Sequence, residues 1–176
     1  MNLYKQCTKL QITIGIQYDK KFVEKIYQYF QNLGIKNKVC HHISVKYICY
    51  EENISQDYID SIVSKLRKEK IIDKRSIALN KLCILKSTNA FFSNMLYILP
   101  SEDYIKEMHY RIISILKEDT DIFWESDMGN FMPHISCGKI KDYSFVDKAN
   151  QELFNTPLKI NEWYLCLHTS KKEYYL

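Results

Sequence analysis

Two short stretches govern the reading of this chain: Cys40-His41-His42-Ile43-Ser44-Val45-Lys46-Tyr47 and Phe131-Met132-Pro133-His134-Ile135-Ser136-Cys137-Gly138. Each holds His-Ile-Ser among β-branched, aromatic and small residues, the composition of a strand. Successive strand side chains point to opposite faces. His42 and Ser44 therefore share one face while Ile43 and Val45 bury the other, and His134 and Ser136 stand opposite Ile135 and Cys137. On the same count Lys46 continues the face of His42 and Ser44, where it either reaches a ligand or ends the strand in solvent. His41 points the other way.

Working outward from these stretches, the same order of elements appears twice. Residues 10–16, Leu-Gln-Ile-Thr-Ile-Gly-Ile, alternate with the period of a half-buried strand. Phe22, Ile26, Tyr29, Phe30 and Leu33 recur at helical spacing, with Gly34 where a helix stops. The first histidine strand is predicted over 39–50, Ser55 then caps a helix carrying Tyr58, Ile59, Ile62, Val63 and Leu66, and a strand is predicted over 77–85. The second half follows with a strand over 91–99, Ser101 capping a helix from Tyr104 to Leu116, the second histidine strand over 132–140, a short helix over 144–154 and a strand over 158–168. This repetition predicts an α+β fold of two lobes, roughly 1–90 and 91–176, related by a pseudo-twofold axis, within a single domain spanning 1–176. Antiparallel sheets would line a central cleft and helices would cover the outer faces. The sequence leaves open whether the lobes exchange terminal strands.

Under such symmetry the two imidazoles and two hydroxyls converge on one spot suited to a phosphate. Cleaving a phosphodiester needs a base for the attacking water or ribose hydroxyl and an acid for the departing oxygen. Two histidines with ordinary pKa values of about 6.5 can divide those roles. The hydroxyls of Ser44 and Ser136 would donate to the non-bridging oxygens as charge builds there. No metal or other cofactor is expected. The acidic run Glu118, Asp119 and Asp121 lacks the spacing of a calcium loop, and Cys137 should face away from His134 rather than join it around zinc.

Composition narrows the ligand. Lys and Arg number 25 against 21 Asp and Glu, a net charge of +4 without a basic arm. That balance suits a nucleotide, cyclic nucleotide or short oligonucleotide and gives little purchase on duplex DNA. Four glycines and three prolines are scattered without a linker, and residues 1–9 lack the continuous apolar stretch of a signal peptide or membrane span. Six dispersed cysteines without a C-x-x-C read as buried reduced thiols in a cytoplasmic protein, expected to be a monomer without a membrane partner. Fourteen tyrosines among abundant Ile, Lys and Asn give no reason to single one out.

The paired motifs resemble the H-x-[S/T]-x signature of the two-histidine (2H) phosphoesterase superfamily, the bacterial RNA 2′,5′-ligase and 2′,3′-cyclic phosphodiesterase group. The likeness extends over nearly the whole chain, from the opening strand and helix to the closing strand ending Leu-His-Thr-Ser. It implies catalytic roles for His42 and His134 and phosphate binding by Ser44 and Ser136. It further implies cleavage of 2′,3′-cyclic phosphates, 2′,5′-linked or cyclic oligonucleotides, or related small phosphodiesters. Many members have Thr where this chain has Ser, and Pro often precedes the first histidine where Cys40-His41 stands. Two other functions fit the same pocket: a module that sequesters a nucleotide or RNA end, and RNA 2′,5′-ligation by the reverse reaction.

Other polar and aromatic residues have plainer readings. His109 in mid-helix and His168 in the last strand read as structural. Trp124 and Phe131 flank the polar stretch before the second motif, where an aromatic ring can either stack a base or pack locally.

Overall fold

A computed structural model describes residues 10–35, 39, 42–49, 54–69, 75–85, 94–100, 103–116, 131–154, 158–167 and 170–176. Its elements, in order, are β1 (Leu10–Tyr18), α1 (Lys20–Asn32), β2 (His42–Cys49), α2 (Gln56–Lys68), β3 (Ser76–Ile77), β4 (Leu79–Leu85), β5 (Met95–Pro100), α3 (Tyr104–Leu116), β6 (Ile135–Lys139), α4 (Val146–Leu153), β7 (Leu158–Leu167) and β8 (Glu173–Tyr175). Local chemistry sets the helix starts. Asp19 Oδ1 accepts from the Lys21 amide at 3.0 Å, and Ser55 Oγ accepts from the Tyr58 amide at 3.2 Å, which satisfies donors that the first turn leaves open.

The strands form two antiparallel sheets. One has the order β2-β1-β7-β3, with β8 also on β7, and the other has the order β4-β5-β6. The duplication read from the sequence is present, but its third strands are exchanged. Sheet β2-β1 is completed by β7 from the second half, and sheet β6-β5 by β4 from the first. The run over 77–85 accordingly divides at Ala78 into β3 on the first sheet and β4 on the second. Edge strand β2, which carries His42 and Ser44, touches edge strand β6, which carries Ser136 and follows His134, at the boundary between the sheets.

Alternation separates the faces of each sheet. Ile12, Ile14 and Ile16 of β1 are fully buried, together with Ile43 of β2 and Trp163 and Leu165 of β7. Burying one such side chain contributes about 1.5–3 kcal/mol, so this row fixes which face the alternate residues occupy. In the second sheet Leu82, Ile98 and Ile135 stand in register across β4, β5 and β6 as the equivalent core row. Helix α3 packs on β2 and α2, and α4 packs on β4, where Asn150 exchanges two hydrogen bonds with the main chain of Leu82.

Candidate functional site

Both motif strands depart from simple alternation directly after their serine. On β2, Gly15 of β1 pairs with Ser44 and Ile14 pairs with Lys46, leaving Val45 as the extra residue of a bulge. On β6, Tyr97 pairs with Ser136 and Met95 with Lys139, so Cys137 and Gly138 together face Leu96. Gly138 has φ +82°, a left-handed conformation that side chains disfavour, and its place in the bulge accounts for the glycine that ends the second motif.

The bulge corrects the reading of Lys46. Counting past Val45 puts Lys46 in the row of Ile14, opposite the row of Ser44, and the side chain is buried rather than solvated. His42, Ser44 and Tyr47 instead share the other face of β2, in register with Gln17, Gly15 and Thr13. The second correction concerns His134, which precedes β6 rather than lying within it. Pro133 has no amide hydrogen for a ladder, and the imidazole is held locally: Nδ1 lies 2.8 Å from the carbonyl oxygen of Met132. A carbonyl only accepts, so Nδ1 carries the hydrogen and Nε2 is the basic nitrogen of the neutral ring.

Each catalytic candidate abuts a buried tyrosine that sequence reasoning did not single out. Tyr97, next to Ser136 across the β5–β6 pair, meets the His134 ring edge-on with centroids 4.4 Å apart. Tyr164 of β7 meets His42 at 6.0 Å, again edge-on. Its ring crosses the intervening β1 because Gly15 leaves room: a Cβ there would lie 2.9 Å from the Ile43 carbonyl oxygen and 3.0 Å from Tyr164 Cε1. A glycine inside a regular strand pattern is the one sequence signal that could have indicated this close approach.

Burial pushes the pKa of His134 below its ordinary value, and the hydrogen bond to Met132 offsets only part of that effect. Burial likewise pushes the Tyr97 phenol up, with smaller contributions from Cys83 on β4 and Tyr47 on β2, so this ring stays neutral beside His134.

The remaining candidates separate clearly. Cys137 is fully buried on the face opposite His134, and no group of three or more His, Cys, Asp or Glu side chains converges among the described residues. Phe131 is half-buried and stacks on His109, with centroids 3.9 Å apart and planes 8° from parallel. It also borders a cavity of about 220 Å³ formed with Leu99, Pro100, Lys106, Met132 and Pro133. A larger cavity of about 480 Å³ lies between the end of α1 and residues 139–145, and neither motif histidine lines it. Cys83, Cys137 and Cys166 are free thiols. His41, Ser101, Trp124, His168 and the acidic run at 118–121 lie outside the described residues. Among the described residues no helix is long and apolar enough to cross a membrane.

Searches of known structures return the same two-sheet arrangement. Escherichia coli LigT in its apo form superposes with a TM-score of 0.57 at 9% identity, covering 96% of this chain and 95% of that one. The chain has the LigT fold. LigT complexed with 3′-AMP gives a TM-score of 0.56 at 9% identity over 95% of this chain and 93% of LigT. A structure described as a phosphoesterase gives 0.55 at 9% identity over 96% of both chains. No family profile matches the chain, and no curated sequence does either.

Proposed function

We propose that this LigT-fold chain is a 2H phosphoesterase that cleaves a phosphodiester in a nucleotide or short oligonucleotide by paired histidine acid–base catalysis. The observation that supports this reading is the contact between β2, which bears His42 and Ser44, and β6, which bears Ser136 and directly follows His134, each strand bulged after its serine. Full-length superposition on LigT, one structure of which holds 3′-AMP, supports a nucleotide-sized ligand.

The local environments divide the labour. His134, its pKa lowered by burial and its Nδ1–H committed to Met132, offers Nε2 as the base. It takes a proton from water or a ribose hydroxyl as that oxygen bonds to phosphorus. The bond from phosphorus to the leaving oxygen breaks, and His42 donates its proton to that oxygen. The reaction leaves His134 protonated and His42 neutral, and exchange with solvent resets the pair. Ser44 and Ser136 donate hydrogen bonds to the non-bridging oxygens, where the developing charge makes such bonds most effective. Both proton transfers are supplied by imidazoles, so the chemistry asks nothing of a metal.

The modest net charge of +4 and the family resemblance suggest the substrate class: 2′,3′-cyclic phosphates, 2′,5′-linked oligonucleotides and cyclic oligonucleotides. In this reading Trp124 holds a base, whereas Phe131 already spends a ring face on His109 and Lys46 lies on the wrong side of β2. Residues 1–176 would act as a single catalytic domain in a cytoplasmic monomer, in keeping with the free thiols of Cys83, Cys137 and Cys166.

Incubation of the purified protein in EDTA with a panel of these nucleotides, followed by mass spectrometry, tests the proposal. It predicts cleavage of at least one compound, with the products revealing the linkage attacked. Tight binding of an unchanged ligand would identify a sequestering module instead. Inertness towards the whole panel would count against the substrate class.

A further inference from the structure

We propose that His109 of α3 is a positioning residue that couples the two histidine strands, a role that deepens the function just proposed and rests on it. The ring is 1% exposed, in the helix face packed on β2. An aliphatic side chain would fill such a place without the cost of burying a polar ring. Two contacts show what the imidazole supplies there. Its Nδ1 lies 2.6 Å from the carbonyl oxygen of Val45, the extra residue of the β2 bulge, so Nδ1–H donates to the turn of chain that follows His42 and Ser44. Its ring face stacks on Phe131, three residues before His134.

These two arms act where the sheets leave the chain least constrained. A bulge residue has lost its place in the β1–β2 ladder, and a slip of one position would exchange the faces of Ser44 and Ile43. The segment 131–134 precedes β6 and, among the described residues, has no strand partner of its own. The stack of Phe131 on His109 and the bond from His134 to Met132 both hold it. One buried imidazole therefore sets the position of both motifs at once. Displacing one reacting group by about 1 Å can cost on the order of 100-fold in rate.

Three full-length variants test the coupling. His109→Phe keeps a ring to stack but removes the donor, His109→Asn keeps a donor but removes the ring, and Phe131→Leu breaks the stack without leaving a buried polar group unpaired. Each is expected to lower kcat about tenfold or more on a 2′,3′-cyclic nucleotide while changing KM less than about threefold, because the lesion misaligns rather than unbinds. In the ligand-free proteins, imidazole NMR resonances of both His42 and His134 should shift in all three variants, including Phe131→Leu, which touches the second motif alone. A folded variant with unchanged kcat, or Phe131→Leu shifts confined to His134, would overturn the coupling. Phe131→Leu decides the matter if either His109 variant fails to fold. An unsubstituted protein without turnover would defeat the proposed function, and the spectra would still judge the coupling.

Discussion

The two halves of the site repeat their chemistry but not their construction. His42 opens a regular strand, takes its tyrosine from two strands away across Gly15, and is followed by a bulge tied to His109. His134 stands ahead of its strand, is tied through Nδ1 to its own backbone, takes its tyrosine from the adjacent strand, and is followed by a bulge with a left-handed glycine. The sequence repeats the two motifs, and their local surroundings in the fold differ. In the proposed mechanism the depressed pKa of His134 suits it to accept a proton, which leaves donation to His42.

The strongest way to break this comparison is to remove each imidazole. His42→Ala and His134→Ala should each lower kcat/KM by about 1,000-fold on a nucleotide substrate. They should differ on a diester with a nitrophenolate leaving group, which departs without a proton: His42→Ala should then recover much of its loss and His134→Ala should not. Equal recovery in stopped assays would erase the assigned difference. Next in size, Ser44→Ala and Ser136→Ala should each cost about 100-fold in kcat, as loss of one donor to a developing charge does. A change in KM alone would reduce the serines to ground-state binding.

Gly15→Ala probes only the first half-site. The added methyl cannot fit between the Ile43 carbonyl and Tyr164, so a destabilisation of about 1–3 kcal/mol is expected by denaturant titration, with the NMR signals of His42 disturbed before those of His134. Smallest is a pH effect from the second half-site. The folded pKa of His134 lies below its unfolded value near 6.5, so the unfolded chain takes up the proton first as pH falls. The stability linked to His134 is complete above that value and is lost on acidification towards the folded pKa. Melting temperatures between pH 7.5 and 5.5 should fall less steeply for His134→Gln.

Much of this was legible in the sequence because it is local. Among the described residues, periodicity located every helix and most strands, and Ser55 announced the start of α2. The exchange of β4 and β7, the bulges and β8 depend on which strand lies alongside, and pairing partners leave no mark in the run itself. Lys46 shows the cost. Strict alternation put it beside Ser44, and the single extra residue Val45 turned it over. The tyrosines were hidden for another reason: fourteen candidates look alike until Gly15 and the β5–β6 register select two. His109 read as a structural residue, and its hydrogen bond to Val45 and stack on Phe131 give that reading a content tied to both motifs.

The pH dependence of kcat/KM in EDTA, measured on whichever nucleotide the panel identifies, tests the paired-histidine account most directly. The account predicts a bell, with an acidic limb below pH 6.5 set by deprotonation of His134 and an alkaline limb set by loss of the His42 proton. A rate that stays flat from pH 5 to 8 would contradict it.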